Sequence, residues 1–557
     1  MHFKLALLLV FWSSVLSSHA ASTFTEVTNS FPTLWSASVF AVDIDSDGDF
    51  DLLNGGRISL TAPATNRLFL NASGRFTASG GLPIPSPVRR HEVENTLDLN
   101  TDGHLDFFIT QEGPRLGERH TSWTYFGNGD GTFRIATNSL PYYATPADAD
   151  NDGDIDFYLP VEGIGGGLFY LNDGDDYYRQ LLDGKVDHRG IWADFDNDAD
   201  NDLLIHSFGP ARIRRNDQKI PFSDDFVFPD TVQSAAWGDC DNDQDLDLLI
   251  VHSQSQKHEL RLYRNDRGDF SRFNLHTNSA SLYKPQWIDF DRDGKTDILV
   301  FLSSRLLRFM NKGDYNFERV ETLFPYQAYD FIIADFTGDH MPDLLLRCAV
   351  ADGTARLRLY KNNSVSTNPL PPVPILLTAL TTNNHSASLK WQLPAPPVTL
   401  PADWTQYSFN LRVGKTPGGS EIMSALSHPV TGARYLPQRG NAGQTGTWLI
   451  RDLPPGTYYW SVQSIDHALN ASPFAEESTF TIAPYERPPQ IISATTTTNG
   501  LHRLTLDAPT RSRAQIQTSP DLSNWTPNTN YLYIAAEPAT LLFPTNDTRF
   551  YRFQLLE

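Results

Sequence analysis

The chain has little cysteine: two residues in 557, Cys240 and Cys348. That excludes a disulfide framework and a zinc site built on several thiolates. It is also short of positive charge. Lysine and arginine number 44 against 66 aspartates and glutamates, a formal charge of −22. Non-specific binding to nucleic acid or anionic lipid needs a basic surface, so the balance argues against both. Glycine and proline, at 36 and 37, are too few for a collagen-like or low-complexity chain. Beyond the first twenty residues no apolar run approaches the ~18 of a membrane-spanning helix. Nor is there a Gly-x-Ser-x-Gly elbow, a His-Glu-x-x-His pair, a phosphate loop or a dinucleotide fingerprint. What is there is 40% hydrophobic and 12% aromatic residues. This is enough for packed cores, in a chain long enough for about three to four domains.

The start reads as an address. Lys4 precedes the apolar run Leu5 to Val10, Phe11 and Trp12, and small residues lead to Ser18-His19-Ala20. A basic residue, a short apolar core and small residues at the cut predict a secretory signal peptide over residues 1–20. The protein is then expected outside the cytoplasm, secreted or on the cell surface. With so few cysteines, its stability must come from something other than disulfides.

One nine-residue pattern recurs seven times. It begins at Asp43, Asp98, Asp148, Asp194, Asp239, Asp289 and Asp335, at spacings of 55, 50, 46, 45, 50 and 46 residues. That is the size of a four-stranded propeller blade. Oxygen-bearing side chains stand at positions 1, 3, 5 and 9. In the first three loops these are Asp43, Asp45, Asp47, Asp51; Asp98, Asn100, Asp102, Asp106; and Asp148, Asp150, Asp152, Asp156. The fourth and fifth have Asp194, Asp196, Asp198, Asp202 and Asp239, Asp241, Asp243, Asp247. The last two have Asp289, Asp291, Asp293, Asp297 and Asp335, Thr337, Asp339, Asp343. Alternating ligands wrap the chain around one point, and position 7 can add a carbonyl. Such irregular all-oxygen cages suit Ca²⁺ better than Mg²⁺ or Zn²⁺. Position 6 needs a sharp turn. Gly48, Gly103, Gly153 and Gly294 supply it, whereas Ala199, Gln244 and His340 stand there in the fourth, fifth and seventh loops.

Each loop is followed by a short apolar run, such as Leu203-Leu204-Ile205 or Leu248 to Val251, which predicts a buried strand. A hairpin pattern follows, such as Leu68-Phe69-Leu70-Asn71-Ala72-Ser73-Gly74-Arg75-Phe76. The seventh unit stops at Leu357 to Asn362 without its outer strand. Phe24 to Thr28 has the pattern of that missing strand, so the first and last units are expected to pair and remove the exposed edges.

These repeats resemble the FG-GAP/VCBS family, which includes the propeller of integrin α subunits. The resemblance covers residues 21–365 and implies an all-β fold, a seven-bladed β-propeller with Ca²⁺ in blade loops on one face. Up to seven ions are implied, held by positions 1, 3, 5 and 9. The resemblance is weakest at the loops starting at Asp194, Asp239 and Asp335, which depart from its glycine.

Two β modules are expected after the repeats. Residues 372–484, with Leu453-Pro454-Pro455-Gly456-Thr457-Tyr458-Tyr459-Trp460, resemble a fibronectin type III β-sandwich, a module whose usual role is spacing or interaction. Residues 489–557 alternate β-rich runs with polar turns and predict a small β-sandwich-like domain.

Seven of the nine histidines in the repeats fall in connections expected on the face opposite the acidic loops. Arg89, Arg90, His91, Arg115, Arg119 and His120 form the candidate ligand-binding set there, suited to anionic groups such as uronates. No catalytic residue is assigned. Two functions follow. One is a secreted or cell-surface calcium-binding protein acting in adhesion or recognition of a glycan or protein. The alternative is an extracellular polysaccharide lyase or other carbohydrate-active enzyme on the same scaffold. Fold alone does not choose between them.

Overall fold

The computed structural model describes the chain from residue 24 to 555, apart from connecting stretches of which the longest are 58–66, 82–90, 112–120, 136–144 and 396–406. The signal-peptide reading for residues 1–20 lies outside the described residues. Among those residues there is no helix, and the strands form ten antiparallel sheets, none closed on itself.

Trp35–Val42, Asp51–Arg57, Arg67–Ala72 and Arg75–Gly81 form the first sheet in chain order. Four-stranded sheets of the same order run from His91–Leu97 to Phe133–Ile135, from Thr145–Ala147 to Tyr178–Leu182, and from Leu282–Ile288 to Phe317–Glu321. The fourth and fifth repeats share a seven-stranded sheet. Ser223–Gly238 pairs with Pro210–Arg215 through its first half and with Asp247–Gln254 through its second. In every repeat the acidic loop joins the first strand to the second. The second strands are apolar because both their faces are covered: Leu248 to Val251 and Ile298 to Phe301 are all fully buried.

Each repeat shares an apolar cluster with the next. Leu97 and Leu99 pack with Phe157 and Leu159, and Tyr158 and Phe169 with Leu203 and Ile205. Ile213 packs with Leu248, Val251 with Leu282, and Phe301 with Leu346. Phe40 packs with Phe107 and Tyr125, which links the first repeat to the second. The series returns to its start, because Phe336, Leu345 and Leu359 of the seventh repeat pack with Leu52 and Phe69 of the first. Phe24–Glu26 adds the seventh sheet's fourth strand, pairing Phe24 with Asn362 and Glu26 with Tyr360. Arg358 holds Glu26 in an ion pair, and Val27 N–H donates to the Leu359 carbonyl (2.9 Å).

After the repeats, Ile375–Leu376, Leu380–Thr381, Ala387–Gln392 and Thr447–Ile450 form one sheet, and Ser408–Gly414, Gly456–Ile465 and Ser478–Ile482 another. Trp391, Trp448, Trp460 and Leu411 lie in the core between them. Residues 490–555 form two three-stranded sheets, one centred on Leu501–Asp507 and the other on Arg513–Ser519.

Candidate metal sites

All seven loops share one set of hydrogen bonds, to which loop seven adds Gly338 N–H on Asp335 Oδ1 (2.8 Å) and Thr337 N–H on Asp343 Oδ2 (2.9 Å). In the shared set the position 1 aspartate receives two backbone N–H groups. For Asp43 these are Asp47 at Oδ1 (3.2 Å) and Gly48 at Oδ2 (3.0 Å); for Asp335 they are Asp339 (3.1 Å) and His340 (2.7 Å). The position 9 aspartate ties the loop to its sheet. Asp51 Oδ2 accepts from Ile44 N–H (3.0 Å) and Oδ1 from Asn71 N–H in the third strand (2.7 Å). Asp106, Asp156, Asp202, Asp247, Asp297 and Asp343 repeat both bonds. Position 6 takes positive φ in every loop, including Ala199, Gln244 and His340.

The carboxylates converge. Oxygens of Asp43, Asp45 and Asp51 lie within 4.8 Å of one another, as do those of Asp148, Asp150 and Asp156, of Asp194, Asp196 and Asp202, and of Asp239, Asp241 and Asp243. Burial first, and neighbouring carboxylates after it, push their pKa values up. Asp43, Asp51, Asp98 and Asp194 rise to about 7, Asp106 and Asp239 to about 8, and Asp202 to about 9. Asp148, Asp152, Asp156, Asp289 and Asp297 are raised well above the usual carboxylate value for the same reasons. Oδ1 of Asp45, Asp241 and Asp291 is buried with no hydrogen-bond partner. All-oxygen donor sets with buried, unsatisfied carboxylate oxygens fit a hard divalent cation such as Ca²⁺.

Asparagines lock the repeats together, a role the sequence reading missed. Asn216, Asn265, Asn311 and Asn362 each donate Nδ2–H to the position 2 carbonyl of the preceding loop, at Ala149, Phe195, Cys240 and Phe290 (2.7–2.9 Å). Asn71 of the first repeat reaches Phe336 of the seventh (3.0 Å). In the second repeat Gly127 stands at this point, where a Cβ would lie 2.3 Å from the Leu105 carbonyl oxygen. The clue was a hairpin asparagine recurring after six of the seven loops. The position 4 asparagines also link loops: Asn151 donates to the Ala199 carbonyl (2.7 Å) and Asn242 to that of Gly294 (2.9 Å).

The module after the repeats sits on this loop face. Asp43 N–H donates to the Tyr435 carbonyl (2.9 Å), Arg451 N–H to that of Asn151 (2.7 Å), and Asp289 N–H to that of His467 (3.0 Å). Gln444 Nε2 reaches Asp239 Oδ2 (3.1 Å), Ser424 hydrogen-bonds Asp98, and Ala199 joins the module's apolar core. Between loops two to five and residues 423–444 lies a cavity of about 570 Å³, lined among others by Trp192, Trp237, Gln438 and Arg439.

Of the candidate ligand set, Arg89, Arg90, Arg115, Arg119 and His120 lie outside the described residues. His91 opens the strand His91–Leu97, paired with Gln111. At the described part of that face His206 and His252 are buried. Carboxylates are present there beside the histidines and arginines: Arg261 bridges buried Asp230 and Glu259, and His252 Nδ1 lies 4.0 Å from Asp230. Both cysteines are free and buried.

The sheets and loops define an all-β repeat protein with acidic, metal-type loops. Residues 98–159, 239–300 and 289–346 match the FG-GAP-like repeat, and the chain carries FG-GAP-like repeats. No curated protein matches the chain. Solved structures similar to it include an Agrocybe aegerita lectin specific for non-reducing terminal N-acetylglucosamine (16% identity, 62% of this chain and 96% of that one, TM-score 0.35). Another is the extracellular domain of a hybrid two-component system from B. thetaiotaomicron (11% identity, 84% and 59%, TM-score 0.37). A third is puromycin hydrolase (11% identity, 75% and 58%, TM-score 0.32). At scores this low the likeness says nothing about ligand or activity.

Proposed function

We propose that the chain is an exported, calcium-stabilised recognition protein built on a seven-bladed β-propeller over residues 21–365. The recurrence of one hydrogen-bonded acidic loop in all seven repeats carries this reading. The apolar clusters that return from the seventh repeat to the first support the ring. Ca²⁺ would be held by positions 1, 3, 5 and 9, where it supplies positive charge that the buried carboxylates lack. This chain's residues do the rest: the position 1 and 9 aspartates fix the loop backbone, and the third-strand residue anchors position 9. Residues 372–484 are a fibronectin type III-like module that covers the loop face. Its Tyr458 hydroxyl donates to the Pro454 carbonyl (2.6 Å), in keeping with the tyrosine corner of such sandwiches. Residues 489–557 form a further small β domain.

The partner is an extracellular glycan or protein. Arg89, Arg90, His91, Arg115, Arg119 and His120 favour an acidic glycan on the face away from the loops. Screening a glycan array in calcium and in chelator tests the reading. Binding of uronate-containing glycans that falls in high salt and in Arg89→Ala with Arg115→Ala is the expected result. Binding indifferent to salt and to both arginines would remove that face from the proposal.

A further inference from the structure

The seven loops share a backbone, but the residue that precedes the locking asparagine divides them. In loops one, two, three and six that residue is apolar: Leu70, Phe126 (before Gly127), Leu171 and Met310. In loops four, five and seven it is basic, and it reaches back into the loop of its own repeat. Arg215 Nη2 lies 2.7 Å from Asp196 Oδ2. Arg264 Nε lies 3.2 Å from Asp241 Oδ2, and its Nη2 3.5 Å from Asp243 Oδ2. Lys361 Nζ lies 2.8 Å from Asp339 Oδ2. These are oxygens of positions 3 and 5, which a bound ion needs.

Position 6 divides the loops in the same way. The four loops with an apolar neighbour have glycine there, at φ between 85° and 97°. The three with a basic neighbour have Ala199, Gln244 and His340, at φ of 72°, 77° and 64°. Side chains tolerate the smaller angles better, since they lie nearer the left-handed helical region. Further cations come from the covering module: Arg451 lies 4.0 Å from Asp200 of loop four, and Arg439 acts on Asp239 of loop five. Loop six has Lys295 on Asp293 Oδ2 (2.9 Å), but Lys295 is part of the loop itself, at position 7, and its side chain is 41% exposed. Lys312, just after the locking asparagine, also acts on Asp291 of loop six. Neither lysine comes from the residue before the locking asparagine, the place from which Arg215, Arg264 and Lys361 reach their loops.

We infer that only the loops starting at Asp43, Asp98, Asp148 and Asp289 take Ca²⁺. Those starting at Asp194, Asp239 and Asp335 are closed by a basic side chain from their own third strand and take no ion. A basic side chain supplies one charge where Ca²⁺ supplies two, without an ion to lose. The protein would thus have metal-dependent blades one, two, three and six and metal-independent blades four, five and seven.

This rests on the calcium reading above, and one measurement separates the two. The full chain is stripped with chelator and titrated with Ca²⁺ by calorimetry. Four ions per chain are expected. Seven would overturn the division and leave the calcium reading standing; none would overturn both. Site variants sharpen the count. Asp45→Ala should lower it to three, and Asp241→Ala should leave it at four. Arg264→Met combined with Gln244→Gly should raise it to five, and a count unmoved by that pair would overturn the claim that Arg264 excludes the ion. Should a variant fail to fold, the wild-type count still decides.

Discussion

Loops one and five have the same four aspartates at the same spacing, yet they meet different neighbours. Loop one has Gly48 at its turn and Leu70 behind it; loop five has Gln244 and Arg264. The hydrogen bonds to Asp43 and Asp51 recur at Asp239 and Asp247. The path of the loop is therefore set by the aspartates at positions 1 and 9 and by backbone N–H groups. How its charge is balanced is set from outside, by the third strand and the covering module. On the inference above, one repeated motif would keep its shape while its metal dependence changed from repeat to repeat.

The largest way to expose that difference is to remove the metal. Each filled site adds about 2.7 kcal/mol at an ion concentration one hundredfold above its Kd. Loss of several such sites should lower the thermal midpoint by roughly 10 °C or more. Ca²⁺ should restore it better than Mg²⁺. A melting curve in excess chelator that matches the calcium-loaded one would show that the loops need no ion.

The next effect is pH dependence. Asp43 and Asp51 are pushed up to about 7, and Asp106 to about 8, chiefly by burial. A carboxyl with a pKa raised on folding binds more protons folded than unfolded. Its stabilisation is present below the unfolded value near 4 and is lost as pH rises through the folded value. In chelator, stability should therefore fall between about pH 5 and pH 8. In Ca²⁺ the trend should flatten or reverse, because the ion needs ionised oxygens. Denaturant titrations at both ends of that range, with and without the ion, check the sign.

Much of this was legible in the sequence. The loop spacing, the turn at position 6 and the pairing of Phe24–Glu26 with the last repeat could all be read, because each is coded by local pattern or by a strand left without a partner. The covering of the loops by residues 420–470 could not. That contact is made by backbone groups such as Tyr435, Asn151 and His467, and no periodicity marks them. The dipeptides Arg215-Asn216, Arg264-Asn265 and Lys361-Asn362 were visible as letters. Their meaning depends on the third strand lying beside its own loop, which is a fact of packing. The Asp230–Arg261–Glu259 group was missed because Asp230 lies 31 residues before Arg261 in the chain.

The locks between repeats should give a smaller effect. Asn216→Ala removes donors to the carbonyls of Ala149 and Asn201 (2.8 and 3.1 Å). Buried unsatisfied carbonyls cost about 1–3 kcal/mol. Asn362→Ala should behave alike, through the carbonyls of Phe290 and Pro342. Neither change touches a side-chain oxygen at positions 1, 3, 5 or 9, so chemical denaturation should report the loss equally in calcium and in chelator. A loss seen only in calcium would mean the asparagines act through the metal instead.

The smallest effect separates the two loop classes at position 6 alone. Gly48 sits at φ 97°, where any side chain is strained, and a Cβ there would make only ordinary contact with Ala433 at 3.6 Å. Gly48→Ala should thus destabilise by about 1 kcal/mol through backbone strain and not through a clash. Gln244 already sits at φ 77°. Gln244→Gly relieves strain of about 1 kcal/mol but adds about 0.5–1 kcal/mol of unfolded-chain entropy, so the net change should lie near zero. Measured in chelator, the pair isolates the backbone from the metal. Adding Ca²⁺ should then widen the deficit of Gly48→Ala, because a strained loop one holds its ion less well. It should leave Gln244→Gly unmoved while Arg264 remains, since the guanidinium keeps its place on Asp241 and Asp243. A calcium-dependent gain in the single Gln244→Gly variant would show that the turn, and not the basic side chain, keeps loop five empty.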